Sequence, residues 1–211
     1  MKTLVVPAII TDSQKELDQM LIKVIGKVKR VQLDIMDGEF VPNTSLNFDF
    51  VLPEGIEYEA HLMIMDPLEW IKDNANKVDI ITTHIETLQD IDFVIDYVKE
   101  QGVKINLALV PKTPIELIIP YLKKIDGLLV MTVDPGSYCI NKEFNPKPLE
   151  KIRELRKVDQ SIPIEVDGCM NPENVKLARE SGANIFASGS YILRSDNIDE
   201  ALIELGNAAK I

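Results

Sequence analysis

Hydrophobic positions group into eight short runs along the chain, and most runs are followed by a stretch with helical spacing of apolar residues. The runs are rich in β-branched residues, which favour strands. The pattern therefore predicts a regular alternation of strand and helix. The predicted strands cover Leu4–Ile10, Arg30–Ile35, Tyr58–Ile64, Val78–Ile85, Lys104–Leu109, Gly127–Val133, Ile162–Val166 and Asn184–Ala187.

Capping residues mark the predicted helices between these strands. Thr11, Asp12 and Ser13 are N-cap candidates for the first helix, and an Asp-Pro pair at 66–67 is a common helix start. Gly102 follows the predicted helix 90–101, at the position where a glycine commonly ends a helix. The predicted helices cover 14–25, a segment from 67 that includes Trp70, 90–101, 113–124, 148–158, a segment from 171 to 182, and 197–209.

This alternation predicts a parallel sheet with right-handed crossovers. Eight units in 211 residues fit a closed (β/α)8 TIM barrel, built as a single domain over residues 1–211. The alternative is an open doubly wound sheet, which usually has a glycine-rich turn after its first strand. The segment 7–11, PAIIT, contains no glycine, so we favour the barrel.

Charge and composition restrict the partners. A net charge of −11 argues against binding to a nucleic-acid backbone or an anionic membrane, but backbone N–H groups could still hold a small phosphorylated ligand. The N-terminal apolar run is short, is broken by Pro7 and lacks a signal-peptide cleavage site. No stretch is long enough to span a bilayer, and two cysteines, Cys139 and Cys169, are too few for a disulfide framework. We expect a cytoplasmic enzyme.

Polar side chains stand near the ends of several predicted strands. Gln32 and Asp34 lie two residues apart in one strand, so they share a face. A lone aspartate there is more often a capped strand end, but the active sites of such barrels lie where strands end. An imidazole, two carboxylates and an amide oxygen at that end could hold a divalent ion. Other candidates at strand ends are His61, His84, Glu86, Met131 and Asp167.

The segment 31–43, VQLDIMDGEFVPN, resembles a motif of the ribulose-phosphate 3-epimerase family, which reads approximately V-H-x-D-x-M-D-G-x-F-V-P-N. Further segments resemble family motifs in the same order along the chain. They are His61-Leu62-Met63, Thr83–Glu86, Asn106–Thr113, Leu129–Gly136, Val166–Cys169, Ser181–Asn184 and Ser188–Ser190.

The resemblance implies an isomerase of the pentose phosphate pathway that interconverts D-ribulose 5-phosphate and D-xylulose 5-phosphate, or epimerises a related ketose phosphate. Asp34 and Asp167 would be its catalytic carboxylates on opposite faces of the sugar, one removing the C3 proton and the other returning one. A divalent metal ion (Zn, Mn or Fe) would stabilise the enediolate. Its implied ligands are Gln32, Asp34, His61 and Asp167.

The resemblance also implies nine substrate-binding positions. Three methionines would form an apolar wall around the intermediate, although methionine otherwise serves to fill gaps in a core. Backbone N–H groups after the seventh and eighth strands would bind the phosphate. The nine are Ala8, Met36, Met63, Met131, Gly136, Gly168, Cys169, Gly189 and Ser190.

The chain departs from the family pattern at several of these positions. Gln32 replaces a metal-binding histidine, and because an amide oxygen is a weaker ligand for zinc-like ions, we expect weakened metal binding or none. Ala8 stands where the family has a serine, and Cys169 where it has a glycine. The loop Ser137–Asn141 differs from the family's P-G-F-G-G-Q loop, which closes over the phosphate.

Two alternatives stay open. Gln32 and Ala8 favour a paralogue that binds a sugar phosphate, a small molecule, with weak or no epimerase activity. A decarboxylase or aldolase-type synthase would need Asp-x-Lys-x-x-Asp at the end of the second strand, and the segment 34–37, DIMD, has no lysine. We expect the chain to form a homo-oligomer.

Overall fold

The computed structural model describes residues 2–136 and 144–210. Its strands are β1 (Leu4–Ile9), β2 (Arg30–Asp37), β3 (Thr44–Ser45), β4 (Glu57–Met63), β5 (Ile80–His84), β6 (Lys104–Leu109), β7 (Gly127–Met131), β8 (Ile164–Asp167) and β9 (Ile185–Ser188). All are part of one sheet. Because β1 pairs in parallel with both β9 and β2, eight parallel strands close into a barrel. The predicted (β/α)8 barrel is confirmed, and the open sheet is excluded.

Helices cover the outside of the barrel. Five of them begin with a side-chain cap from Ser13, Asp66, Asp90, Asn171 or Asn197, each accepting a hydrogen bond from a backbone N–H of the first turn. These caps satisfy N–H groups that have no partner inside the helix. The helices are α1 (Gln14–Val24), α2 (Pro67–Asn74), α3 (Ile91–Glu100), α4 (Pro148–Val158), α5 (Pro172–Glu180), α6 (Ser190–Leu193) and α7 (Ile198–Ala208). No helix within the described ranges is both long and apolar enough to cross a membrane.

The predicted helix over 113–124 is wrong. The chain forms two short 3-10 turns there, Ile115–Leu117 and Ile119–Tyr121, held by backbone bonds between residues three apart. Pro120 explains the difference, because it has no N–H to donate and its ring clashes with the preceding helical turn. Proline also disfavours the helical conformation of the residue before it.

The connection between β2 and β4 differs from the helical crossover of a regular (β/α)8 barrel, and the sequence pattern predicts no helix there. Residues 38–56, all of them described, contain no helix, and β3 within them pairs antiparallel with the end of β2. Leu46 and Phe50 from this segment are almost completely buried. The segment therefore packs against the barrel and its helices through apolar side chains, where a crossover helix would otherwise lie.

The described core consists of one large and two small apolar clusters. A large apolar cluster fills the space between the sheet and its helices and includes Leu17, Ile71, Val98 and Leu205. Two small clusters lie apart from it, Met36, Val41 and Met63 in one and Ala108, Leu129, Met131 and Val133 in the other.

Charged groups occupy the amino-terminal part of the barrel. Glu59 and Glu165 are buried, and Arg30 Nη1 donates to Glu59 Oε2 at 3.0 Å. Glu59 Oε1 also accepts from Thr82 and from Asn106 Nδ2. Because these groups start the strands, they lie at the end opposite to the candidate site and act on stability.

Candidate active site at the carboxyl ends of the strands

Three strands bring together two carboxylates and an imidazole. Asp34 on β2 pairs directly with His61 on β4, and Asp167 ends β8, which is separated from β2 by β9 and β1. His61 Nδ1 lies 3.2 Å from Asp34 Oδ1 and 3.5 Å from Asp167 Oδ2. One ligand atom from each residue falls within 4.8 Å of the others. A nitrogen and two carboxylate oxygens are the ligand types that bind a divalent cation such as Zn or Mn.

Gln32 presents its amide nitrogen, not its oxygen, to this cluster. Gln32 Nε2 donates to Asp34 Oδ1 at 2.8 Å and to Asp167 Oδ2 at 2.9 Å, and it lies 3.3 Å from His61 Nδ1. The amide oxygen is buried and has no hydrogen-bond donor among the described residues. The expectation that Gln32 and Asp34 share a face agrees with these contacts. A role for Gln32 as a metal ligand stays a prediction.

A chain of polar groups runs from the buried rings of His61 and His84 to the exposed Glu86 and holds the outer side of the His61 ring. His61 Nε2 lies 2.9 Å from His84 Nε2, and His84 Nδ1 lies 3.3 Å from Glu86 Oε2. Glu86 Oε1 accepts from the backbone N–H of Val110 at 3.0 Å. At 3.3 Å the contact between His84 Nδ1 and Glu86 is within ion-pair distance but is too poorly aligned to be a hydrogen bond. If His84 Nδ1 carries the proton toward Glu86, its Nε2 accepts from His61, which orients the His61 ring.

The surroundings shift the pKa values of this cluster in opposite directions. Burial raises the pKa of Asp34, and the nearby charge of Asp167 adds to this effect. Burial would lower the pKa of His61, but hydrogen bonds and charges from Asp167 and Asp34 outweigh it and raise that pKa to about 9. Burial lowers the pKa of His84 to about 4. At neutral pH a charged imidazole therefore faces the carboxylates, and a neutral one supports it from behind.

A cavity opens above the two aspartates. All nine positions predicted to contact substrate line it: Ala8, Met36, Met63, Met131, Gly136, Gly168, Cys169, Gly189 and Ser190. Asp34 and Asp167 reach the same cavity, whereas Gln32 and His61 are fully buried beneath it. The structure thus brings the predicted site residues together in two layers, and their roles in binding stay predictions.

Backbone conformation explains two of the cavity residues. Gly168 has φ of +112°, and a Cβ atom there would lie 2.7 Å from Thr132 Oγ1 and from Val133 Cγ2. The next residue, Cys169, also has a positive φ of 54°. This left-handed region favours glycine, which is the residue found at this position in the family motif. Cys169 thus carries a side chain at a backbone conformation that favours glycine.

The comparison that decides the family covers almost the whole barrel. The model of the "Ribulose-phosphate 3 epimerase family" matches residues 4–193. The chain belongs to this family. It is 31% identical over 186 residues to the ribulose-phosphate 3-epimerase of Schizosaccharomyces pombe, which covers 84% of this chain and 81% of that protein. It is 33% identical over 190 residues to the enzyme of the same name from Bacillus subtilis, with 85% and 87% covered.

Solved structures support the assignment of the fold. The 3-hexulose-6-phosphate synthase from Salmonella typhimurium superposes with a TM-score of 0.68 at 15% identity, over 98% of both chains. That likeness concerns the barrel alone. The structural likeness and the family match together confirm the predicted fold and family. They also confirm the predicted enzyme class, an epimerase of carbohydrate metabolism. The single-domain boundary, the homo-oligomer and the cytoplasmic location stay predictions.

Sequence reasoning missed other cavity residues. Arg194 lines the cavity beside Gly189 and Ser190, although its side chain is largely exposed. Its position four residues after Ser190, at the end of a single helical turn, was the available signal. Ile10, Val133, Met170, Ala187 and Ser188 also line the cavity. The predicted lid, Ser137–Asn141, lies outside the described residues.

Proposed function

We propose that this chain interconverts D-ribulose 5-phosphate and D-xylulose 5-phosphate by epimerisation at C3. The observation that supports this most strongly is the pair Asp34 and Asp167, which come from separate strands and reach one cavity. The curated relatives carry the name of this activity, and the chain covers more than four fifths of the two relatives described above.

The proposed chemistry needs a carboxylate on each side of C3. One carboxylate takes the C3 proton, the electron pair delocalises into the C2 carbonyl as an enediolate, and the other carboxyl group returns a proton to the opposite face of C3. A single base would tend to return the proton to the face it left. Asp34 has the raised pKa expected of a group that must hold a proton during the cycle.

The developing charge on the enediolate oxygens requires positive charge nearby. Asp34, His61 and Asp167 are the residues that would hold a divalent cation, which acts as a Lewis acid when bound. His61 itself carries positive charge at neutral pH in the arrangement described here, since its pKa is raised to about 9 by Asp167 and Asp34. Met36, Met63 and Met131 line the cavity and would exclude water from the intermediate.

The phosphate would bind at the far side of the cavity, near Gly168, Gly189 and Ser190. Gly189 packs closely on β1, because a Cβ atom there would lie 2.9 Å from the backbone oxygen of Ala8. Glycine therefore lets this turn lie against β1, and its backbone N–H groups would bind the anion, as in other barrels of this type. Arg194 would add a positive charge on the solvent side.

A second candidate function is a paralogue that binds the sugar phosphate with little turnover. Two observations favour it: the Gln32 nitrogen points at the proposed cation ligands, and Ala8 gives the cavity no hydroxyl where the family has serine. This protein would show binding of D-ribulose 5-phosphate by calorimetry and no conversion.

The direct test follows conversion of D-ribulose 5-phosphate by the purified chain with and without added Mn²⁺ or Zn²⁺. We expect conversion by the wild type and a loss of at least about 1,000-fold in Asp34→Asn and in Asp167→Asn, because each removes one proton-transfer group. Asp73→Asn, an exposed aspartate of α2, is the matched control and should keep full activity. Binding without conversion in the wild type would support the paralogue instead.

A further inference from the structure

Gln32 lies between two acidic side chains, Asp34 and Asp167. Its side chain is completely buried, and its Nε2 is within hydrogen-bond distance of one oxygen of Asp34 and one of Asp167. A primary amide carries two N–H donors, so a single nitrogen can serve both carboxylates at once. The amide thus connects β2 with β8 across two intervening strands.

The orientation of this amide follows from the chemistry of its neighbours. With the oxygen turned inward, Gln32 would present a partial negative charge to Asp34 and Asp167, and both carboxylates would lose a donor. With the nitrogen inward, both carboxylates are satisfied and only the amide oxygen stays without a donor among the described residues. The nitrogen-inward arrangement is therefore the stable one whenever no cation is present.

This arrangement conflicts with a bound cation. A cation held by the two carboxylates and His61 would lie about 2.0–2.2 Å from each ligand atom. Those atoms are themselves only 2.8, 2.9 and 3.3 Å from Gln32 Nε2, so the amide hydrogens point into the volume that the cation would use. Binding would require the amide to turn or withdraw, with the loss of two charge-assisted hydrogen bonds.

We propose that Gln32 is a built-in replacement for the divalent cation, holding Asp34 and Asp167 together through its amide N–H groups and opposing metal binding at the same place. This inference rests on the proposed function for the identification of the site as an active site. What it predicts, however, concerns cation binding and not turnover. It predicts a chain whose two carboxylates stay assembled after treatment with a chelator, and whose affinity for cations is restored by a ligand at position 32.

The first test is cation binding to chelator-treated protein, measured by titration with Co²⁺ in a calorimeter and by visible absorption. We expect Gln32→His to bind one equivalent of Co²⁺ at least about tenfold more tightly than the wild type, because it exchanges a competing donor for a ligand. Gln160→His, which adds a histidine at an exposed site, is the matched control and should behave as the wild type. Wild-type binding of one equivalent as tight as in Gln32→His would overturn the proposal.

A second measurement keeps the proposal testable if Gln32→His does not fold. Gln32→Met keeps the length of the side chain and removes both donors, so the metal-free variant should unfold at a lower temperature than the wild type. Co²⁺ should then raise the Tm of Gln32→Met more than that of the wild type. An equal rise in both proteins would contradict a competition between the amide and the cation.

These readouts involve no turnover, so they separate the two proposals. Tight Co²⁺ binding in a wild-type chain that converts substrate would overturn the role of Gln32 and leave the proposed function standing. The expected cation behaviour in a chain that never converts substrate would support the role of Gln32 and contradict the proposed function.

Discussion

At the scale of single residues, the site depends on which atom of a side chain faces its neighbours. Gln32 and Asp34 could be placed on one strand face from their spacing, and Asp34 pairs with His61 as parallel neighbours. The direction of the Gln32 amide could not be predicted, because it depends on Asp167, which is 135 positions away in the sequence. The link from His61 to His84 likewise depends on ring positions that only the closed barrel fixes.

Arg194 gives a prediction about binding. This residue lines the cavity beside Gly189 and Ser190, where the phosphate is proposed to bind. Arg194→Gln should raise KM for the sugar phosphate about tenfold with little change in kcat, because the lost charge contacts a group remote from C3. Arg153→Gln, which removes an exposed arginine of α4, is the control. Equal KM values for Arg194→Gln and the wild type would show that Arg194 does not contact the phosphate.

At the scale of elements, the sequence predicted well wherever local signals agree. The bounds predicted for β6 and α4 are those observed, and α1 and α2 are capped by Ser13 and Asp66, which the sequence marked as helix starts. The predictions failed where two sequence signals conflict, or where the local sequence carries no signal for the element. Apolar periodicity over 113–124 favoured a helix that Pro120 prevents, and β3 is too short for its two residues to show a pattern.

The cap of α3 gives a prediction about stability. Asp90 accepts from the backbone N–H of Phe93 at 3.0 Å. Asp90→Ala should lower the free energy of unfolding by about 1 kcal/mol, measured by urea denaturation, because that N–H loses its partner. Asp96→Ala, at an exposed position inside the same helix, should change it by less than about 0.5 kcal/mol. Equal losses in the two variants would mean that the cap contributes nothing specific.

At the scale of the whole molecule, the charged residues that act on stability and the residues proposed for catalysis lie at opposite ends of the barrel. Arg30, Glu59 and Glu165 lie near the starts of the strands, whereas Asp34 and Asp167 lie near their ends. The closed barrel and its order of strands followed from counting units along the chain. The buried carboxyl groups of Glu59 and Glu165 did not, because an alternating pattern does not reveal that the interior of a barrel holds charge.

Glu165 makes stability depend on pH. Burial raises its pKa well above 4.5, and the neighbouring Glu59 charge adds to the shift. The folded state then binds more protons than the unfolded state above pH 4.5, so this group's contribution to stability is lost as the pH rises through that window. Glu165→Gln should therefore gain stability relative to the wild type as the pH rises from 5 to 9.

Urea denaturation at several pH values measures this difference. Glu154→Gln, at an exposed position of α4, is the control and should follow the wild-type pH profile. A constant difference in unfolding free energy between Glu165→Gln and the wild type at all pH values would show that Glu165 does not titrate with folding.

The measurement that tests the central claim most directly is incorporation of solvent deuterium at C3, followed separately for D-ribulose 5-phosphate and D-xylulose 5-phosphate. In heavy water the wild type should exchange and invert both epimers. Asp34→Asn and Asp167→Asn should each lose inversion while the remaining carboxylate still exchanges the proton of one epimer, a different epimer in each variant. Inversion at the wild-type rate in either variant, or exchange of the same epimer by both, would contradict two carboxylates acting from opposite faces of C3.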